Sequence, residues 1–156
     1  MNIEPIELND EIETLLVGEE LPISDLHSSN QTQFFRGCEG VHIIGVVGIE
    51  IYENVGLLRS LVVEKGCRKA GYGKQLAAKA ETWAYQRSIK SLYLLTTTAA
   101  GFFSQLGYQV IPRTQAPVSI ANTAQFVGLC PSSATFMYKE LNANNLIQPT
   151  VNVSVD

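Results

Sequence analysis

The sequence has few of the residues on which several classes of protein depend. Its 156 residues include three cysteines, Cys38, Cys67 and Cys130, which cannot all pair within the chain, and no C-x-x-C spacing occurs. Beside such scattered thiols, two histidines are too few to suggest a structural zinc site. We therefore expect reduced thiols in a reducing compartment, and no bound metal.

Long apolar runs and an excess of positive charge are also missing. No apolar stretch approaches the roughly 20 residues that a membrane-spanning helix needs. The acidic N-terminus, MNIEPIELNDEIE, lacks the basic-then-apolar order of a secretory signal. The net charge of −4 argues against a general nucleic-acid binder, which needs a basic surface to neutralise phosphates. We expect a cytoplasmic protein that binds neither membrane nor nucleic acid.

The composition that remains is that of an ordinary globular protein, with 46% hydrophobic and 17% charged residues. A chain of this length usually makes one domain with a buried core. We assign residues 1–141 to that domain, because the chain from Asn142 onward is polar and rich in asparagine. Residues 142–156 are interpreted as a polar tail that can be disordered.

The spacing of apolar residues predicts a mixed order of strands and helices. Strands are predicted where β-branched or alternating apolar residues cluster, at 41–52, 57–63, 91–96, 108–113 and 133–141. Helices are predicted where apolar residues recur at spacings of three and four, at 10–20, 71–87, 97–107 and 118–127. Residues 21–35, broken by Pro22, are predicted to form a short helix or an irregular segment. This order is typical of an α+β sheet.

The most informative stretch lies between the strand LLRSLVV and the helix that begins near Gly71. There the chain reads EKGCRKAGYGKQL, in which Arg68, Lys69 and Lys74 surround Gly71 and Gly73. Glycines permit positive φ angles and leave no side chain between the backbone and a ligand. The unpaired N–H groups of the helix start, together with the cations, predict a cradle for a diphosphate. The alternative is a tight turn with solubilising cations.

Two common phosphate-binding patterns do not fit this stretch. No Gly-Lys-Ser/Thr follows a four-residue gap, as a P-loop requires. The third glycine and the downstream acidic residue of a dinucleotide fold are also missing.

The stretch LVVEKGCRKAGYGKQL resembles instead the acetyl-CoA loop of the GCN5-related N-acetyltransferases, the GNAT family. The family pattern is Arg/Gln-x-x-Gly-x-Gly/Ala between a strand and a helix. Arg68, Gly71 and Gly73 match it, and Lys69 stands where many members have glycine. A second block, LYLLTTTAAGFFSQLGY, resembles the strand and helix that complete the cofactor site. The resemblance covers residues 41–141 and implies the family's fold, a mostly antiparallel sheet flanked by helices.

The resemblance also implies a function. It implies an acetyl-CoA-dependent N-acetyltransferase in which the neutral amine of a small acceptor attacks the thioester directly. Arg59 separately suggests an amino-acid-like acceptor, whose acidic group the guanidinium can hold. Leu61 and Val63 are expected to pair with the pantetheine arm, and the amides of residues 68–74 to hold the pyrophosphate. Family members often pair, so a homodimer is expected. The segments LPISDL, GVVGIEIY and LCPSSATFMYKEL resemble further the arsenic-resistance subgroup, which by itself names no acceptor.

At two cofactor-site positions the chain departs from the family pattern. Many members have a tyrosine that protonates the leaving thiolate and an asparagine near the end of the preceding strand. Here these positions are Phe103, which has no proton to give, and Thr96, a shorter hydrogen-bonding group. Tyr108, Tyr93, a water molecule or the departing thiol itself are the alternatives. The missing tyrosine also keeps open a second function, a non-catalytic acetyl-CoA sensor.

A charged pair is predicted inside two otherwise apolar strands. If residues 54–55 form a two-residue turn, Glu50 lies directly opposite Arg59, on the face that carries Leu61 and Val63. The carboxylate can then receive the ammonium proton, directly or through water, and the guanidinium can hold an acidic group of the acceptor. The alternative is a cross-strand ion pair that only fixes the register.

Overall fold

The computed structural model describes residues 1–21, 32–68, 70–129 and 133–148. Within these ranges the strands are Asn2–Ile6 (β1), Thr32–Glu39 (β2), His42–Tyr52 (β3), Val55–Val63 (β4), Ser91–Thr96 (β5), Gln109–Val110 (β6) and Thr135–Glu140 (β7). The helices are Asp10–Gly18 (α1), Tyr72–Gln86 (α2), Ala100–Gln105 (α3) and Val118–Ala121 (α4). Single turns of helix occur at Lys65–Cys67, Arg113–Gln115 and Gln125–Leu129.

The strands form one sheet in the order β1-β2-β3-β4-β5-β7-β6. Every neighbouring pair is antiparallel except β4 and β5, which run parallel. The expected mostly antiparallel sheet flanked by helices is therefore confirmed. β4 and β5 pair only at Val55–Ser91, Gly56–Leu92 and Leu57–Tyr93. Beyond these positions both strands continue without pairing to each other, so the sheet opens at its centre.

The main core lies between α2 and one face of the sheet. Leu76, Ala80 and Ala84 lie on one side of α2 and are fully buried. They pack with apolar residues of the central strands, including Val47 and Leu58. On the other face, Ile12 and Leu16 of α1 form a second cluster with Phe34, Val46 and Val62. The two helices therefore clamp the central strands from opposite sides.

The predicted strands and helices of the middle of the chain are confirmed, with shifted ends. The helix predicted over 97–107 is shorter, because α3 begins at Ala100. Gly107 ends it with a φ of 97°, as its position predicts. The strand predicted over 108–113 is reduced to β6, a two-residue strand at the sheet edge.

Two strands were missed at the N-terminal side. β1 contains Pro5, which argues against a central strand but is tolerated here because β1 is an edge strand. The expectation of a helix or irregular segment over 21–35 is wrong for residues 32–35, which begin β2. The reason is that β2 is recognisable only from its partners, since it pairs with β1 and β3 along its length. Residues 22–31 lie outside the described part of the chain.

The first residues of the predicted tail pack against the domain. Ile147 is 6% exposed and contacts Ala77 and Ala78 of α2. Its backbone N–H donates a hydrogen bond to Glu81 Oε1 at 2.8 Å. Residues 149–156 lie outside the described part of the chain.

Glu81 belongs to a buried polar network between α2 and β7. Its carboxylate accepts hydrogen bonds from Lys139 Nζ at 2.9 Å and from Tyr108 Oη at 2.9 Å. Lys139 also donates to the Leu106 carbonyl at 2.9 Å. Burial, reinforced by the nearby Glu81 charge, raises the pKa of Tyr108 well above its ordinary value. Together with the Ile147 amide, these contacts give the buried Glu81 carboxylate several hydrogen-bond donors. They also connect α2 to the end of α3, to β7 and to the first residues of the tail.

We expect Lys139→Met to lower the free energy of unfolding by about 3–5 kcal/mol, because it leaves the Glu81 carboxylate buried without its cation. Urea denaturation of both proteins measures this difference. The matched control is Arg36→Met, which breaks the partly exposed Arg36–Glu4 pair and is expected to cost less than about 1 kcal/mol. Equal losses in the two variants would contradict this account of the buried network.

Candidate functional site

The gap between β4 and β5 opens into two adjoining pockets. The inner pocket has a volume of about 390 Å³ and is lined by residues of β4, β5 and α3, among them Arg59, Ser60, Leu94, Thr96 and Phe103. The cradle pocket has a volume of about 630 Å³ and is lined by the end of β4 and the start of α2, among them Val63, Cys67, Arg68, Gly71, Gly73 and Lys74. Leu61 and Phe102 line both pockets. A ligand lying in one pocket can therefore reach the other.

A β-bulge in β4 produces this opening. Gly48 of β3 pairs with Arg59 and Val46 pairs with Val62, so one residue of β3 faces both Ser60 and Leu61. Ser60 has a φ of 58°, which side chains other than glycine rarely adopt. A bulge bends its strand and increases the local twist. The second half of β4 is thereby turned away from β5.

The predicted pairing of β3 with β4 is wrong, because the turn lies one residue earlier and each residue of β3 therefore faces a partner two residues earlier in β4. Tyr52 pairs with Val55, so the turn is made by residues 53–54, and Glu50 faces Leu57 while Arg59 faces Gly48. The predicted two-residue turn occurs, but it begins one residue earlier than the sequence suggested. Turn position is set by backbone angles that apolar spacing does not report, and Glu53 adopts a φ of 56° there.

Glu50 and Arg59 nevertheless form the expected ion pair. Arg59 Nη1 donates to Glu50 Oε2 at 2.6 Å, and both residues are buried, at 5% and 3% exposure. The pair forms across a diagonal of the sheet, which long side chains can span. Gly48 leaves room for this contact, because a Cβ there would lie 3.4 Å from Arg59 Cγ and 2.9 Å from a ring carbon of Phe34.

The bulge also overturns the prediction that Glu50 and Arg59 share a strand face with Leu61 and Val63. Side chains of a regular strand alternate between the two faces, so Leu58 would be expected on the face opposite Leu61 and Val63. All three instead pack on the same core cluster, because the bulge inverts the alternation between Leu58 and Leu61. Arg59 lies on the other face of the sheet, with Glu50. The ion pair therefore reaches the gap from the α1 side.

Glu50 lies behind Arg59 when viewed from the inner pocket. Its Oε2 accepts the bond from Arg59, and its Oε1 accepts a short hydrogen bond from Tyr52 Oη. Arg59 and Ser60 are part of the pocket lining, whereas Glu50 is not. Arg59 Nε also donates to Ser60 Oγ at 3.2 Å. Arg59 is thus the member of the pair that lines the pocket, and the Glu50 carboxylate holds its guanidinium in place.

The cradle pocket contains the glycines that the sequence singled out. Gly71 is the N-cap residue of α2, and its φ of 81° is the positive angle that was predicted. The first bond within the helix runs from the Gln75 N–H to the Gly71 carbonyl, so the preceding amides point out of the helix end. A Cβ at Gly73 would lie 3.4 Å from Phe102 and would narrow the pocket. Lys74 lines the pocket and is exposed, and Lys69 lies outside the described residues.

Arg68 is held more firmly than the sequence suggested. Its Nε donates to the Val63 carbonyl at 3.0 Å, and its Nη2 forms an ion pair with Glu19 at the end of α1. It lines the cradle pocket in this position. Arg68 therefore joins β4, the loop and α1, in addition to placing positive charge beside the glycines.

The two departures from the family pattern lie in the inner pocket. Phe103 is 6% exposed and lines this pocket. Thr96 Oγ1 accepts a hydrogen bond from the Ala99 N–H at 2.9 Å, so its hydroxyl helps to start α3. The two tyrosines that were alternatives for the missing acid lie elsewhere. Tyr108 is bonded to Glu81, and Tyr93 stacks on Phe136 and Tyr138; neither lines a pocket.

Two features were not found from the sequence. Glu20 and Gln125 line the inner pocket, although α1 and the Gln125–Leu129 turn are remote from β4 along the chain. Folding also brings potential ligand atoms of His42, Glu64 and Cys67 within 4.8 Å of one another. His42 Nε2 lies 2.6 Å from Glu64 Oε2 and both side chains are partly exposed, so an ordinary surface ion pair explains this contact.

Among the described residues, every helix is too short or too polar to cross a membrane.

Comparison with known proteins agrees with this geometry. A model of the acetyltransferase (GNAT) family matches residues 4–108. The chain is 32% identical over 88 residues to an uncharacterised N-acetyltransferase of Chlorobaculum tepidum, and the match spans 56% of each protein.

Solved structures give the same result for the fold. A GNAT-family acetyltransferase of Staphylococcus aureus superposes with a TM-score of 0.68 at 24% identity, covering 90% of this chain and 100% of that one. N-acetylglutamate synthase of Neisseria gonorrhoeae, solved with coenzyme A and N-acetylglutamate, gives a TM-score of 0.71 at 15% identity, covering 91% of this chain and 36% of that one. With the family model matching most of its length, the chain belongs to the acetyltransferase (GNAT) family.

Proposed function

We propose that the protein transfers the acetyl group of acetyl-CoA to the amine of a small, amino-acid-like acceptor. The observation that carries this proposal is the divergence of β4 and β5, which joins a glycine-lined cradle to a second pocket. A two-substrate reaction needs two such sites that meet at the reacting atoms. The synthase of Neisseria gonorrhoeae, part of which has this fold, was solved with coenzyme A and N-acetylglutamate, which is consistent with both substrate assignments.

The cradle pocket is proposed to hold the coenzyme. Outward-pointing amides at the start of α2, beside Gly71 and Gly73, are donors for the pyrophosphate, and Lys74 adds an exposed positive charge. Arg68, held in place by its ion pair with Glu19, is proposed to contribute to binding of the pyrophosphate, and Lys69 is proposed to add positive charge beside it. The open edge of β4 at Leu61 and Val63 is proposed to pair with the pantetheine arm, which then leads the thioester into the inner pocket.

The inner pocket is proposed to hold the acceptor, with Arg59 as the group that binds its acid. Because both carboxylate oxygens of Glu50 already accept hydrogen bonds, we propose that Glu50 acts by orienting Arg59 rather than by touching the substrate. Thr96 and Phe103 form the wall beside the reacting atoms. With phenylalanine at the usual acid position, the departing thiolate is proposed to take its proton from the attacking amine or from water.

A non-catalytic acetyl-CoA sensor is the second candidate, favoured by the phenylalanine, Phe103, at the position where many family members have the acidic tyrosine. Thiol release from acetyl-CoA across a panel of primary amines, with calorimetric binding of the coenzyme measured alongside, separates the two. Turnover on one or more amines supports the enzyme. Tight coenzyme binding without turnover on any amine supports the sensor, and no binding of the coenzyme removes both.

Membership of the arsenic-resistance subgroup and a homodimer stay predictions from the resemblance, and a cytoplasmic location stays a prediction from the composition and the N-terminal sequence. None of them enters the assignment of the two pockets, which depends on residues within one chain.

We expect Gly71→Glu to weaken binding of coenzyme A by at least about tenfold, because it places a carboxylate at a diphosphate site. Residue 71 has a φ of 81°, an angle that residues with a side chain rarely adopt, so the substitution also strains the backbone. Circular dichroism must therefore first show that the variant is folded. Calorimetry then measures the affinity. Gly66→Glu is the matched control, since it adds the same charge to the same loop without lining the cradle pocket. Unchanged affinity in folded Gly71→Glu would contradict the placement of the pyrophosphate.

We expect Arg59→Lys to raise the KM of L-phenylalanine by about tenfold, because an ammonium cannot form the two-point contact that a guanidinium forms with a carboxylate. The KM of phenethylamine, which lacks only the carboxylate, is expected to stay the same. Steady-state kinetics on both acceptors measures the difference.

Glu50→Gln tests how the carboxylate acts in the same assay. If Glu50 orients Arg59, the variant impairs the reaction of L-phenylalanine and spares that of phenethylamine. If Glu50 receives the proton itself, turnover falls for both acceptors. In either case the affinity for coenzyme A is expected to be unchanged, since Glu50 lines neither pocket.

A further inference from the structure

Glu20 is an inner-pocket residue that the proposed function leaves unassigned. It lies just beyond α1, where the Glu20 N–H bonds the Val17 carbonyl at 3.0 Å and the Leu21 N–H bonds the Leu16 carbonyl at 3.0 Å. These two bonds define a Schellman motif with Glu20 at its C′ position. Leu21 packs with the cluster that contains Leu16. Glu20 is thus an exposed residue placed by the backbone of α1, by the buried Leu16 and by the partly buried Leu21.

The C′ position of this motif favours glycine, because its φ is positive. Glu20 has a φ of 59°. A glycine does occur nearby, but Gly18 lies in the last turn of α1, where glycine is unfavourable. The motif at the end of α3 has Gly107 at C′, and the motif at the end of α2 has Ser88 with a φ of 64°. Strain alone therefore does not identify a site, since Ser88 lines neither pocket.

The charges around the inner pocket distinguish Glu20. Its charged lining residues are Glu20 and Arg59. Arg59 is paired with Glu50 on β3, and the neighbouring Glu19 is paired with Arg68. Each of these ion pairs is neutral overall. Among the described residues that line the inner pocket, the exposed Glu20 is therefore the charged residue for which no ion pair is found.

The rest of the inner pocket is a mixture of apolar walls and hydroxyl groups. The apolar wall is formed by Leu58, Leu61, Leu94 and Phe103, and the hydroxyls are those of Ser60 and three consecutive threonines. A negative charge at the edge of such a pocket favours a primary ammonium group with an apolar body.

We propose that Glu20 is the residue that binds the ammonium group of the acceptor and takes its proton, an inference that rests on the proposed acyl transfer. The ammonium gives one proton to the carboxylate, and the neutral nitrogen attacks the thioester carbonyl carbon. A C–N bond forms, the C–S bond breaks, and the coenzyme thiolate takes the second proton of the amine. Glu20 then releases its proton to water.

The proposed contact between Glu20 and the ammonium group is tested by measuring acceptor binding under conditions in which no acyl transfer can occur. Calorimetry follows phenethylamine binding to the protein loaded with coenzyme A, which carries no acetyl group and cannot react. Glu20→Gln is expected to raise the Kd by at least about tenfold, the usual size of a lost charge-assisted contact. Glu53→Gln is the control, because Glu53 is exposed in the β3–β4 turn and also has a positive φ. Unchanged binding in Glu20→Gln, or no binding to the wild-type complex, would overturn the proposal.

Stability and activity are expected to change in opposite directions in a second variant. Glu20→Gly relieves the positive φ and is expected to raise Tm by about 2–4 °C, while its turnover falls at least as far as that of Glu20→Gln. Ser88→Gly, at the same position of the α2 motif, is expected to raise Tm similarly and to leave turnover unchanged. Full activity in Glu20→Gly would overturn a role for the carboxylate.

The two proposals fail in distinguishable ways. Wild-type protein that binds phenethylamine through Glu20 but acetylates no amine keeps the ammonium site and removes the transferase. If the wild-type protein and Glu20→Gln acetylate amines equally well, the proposed transferase function stands and the proposed role of Glu20 is wrong.

Discussion

The site depends on one interruption of backbone pairing, the separation of β4 from β5 beyond Leu57. A parallel pair in the centre of a sheet normally continues along both strands, since unpaired backbone groups are costly to bury. Here the bulge at Ser60 turns β4 away, and the freed edges face a cavity instead of each other. The same bulge inverts the alternation of β4, so that Arg59 and Leu61 reach the gap from opposite faces. The two pockets are therefore two consequences of one irregularity.

Buried charge is tolerated in this protein where several donors converge on each carboxylate. Glu81 accepts from Lys139, Tyr108 and the Ile147 amide between α2 and β7, and it lines neither pocket. Glu50 accepts from Arg59 and Tyr52 beside the inner pocket. An uncompensated carboxylate in either position would be strongly destabilising. The two networks are chemically alike, and only the Glu50 network contains a residue, Arg59, that lines one of the two pockets.

Sequence reasoning recovered most of the central sheet, α2 and the glycine loop, because these depend on local patterns. The failures have a common cause. β1 and β2 are defined by partners distant in the chain, and the hairpin register of Glu50 and Arg59 depended on a turn whose backbone angles apolar spacing does not encode. Glu20 was missed because a helix end carrying glutamate at a positive φ leaves no pattern that differs from an ordinary solvated turn.

The chain's own residue order was enough to predict the positive φ at Gly71 and the cations around it, since each belongs to a single position or its near neighbours. Only the tertiary structure decided which charges face the gap. That choice depends on the strand register, on the bulge that inverts it and on how α1 packs over β4, and each of these is set by contacts between segments far apart in the chain.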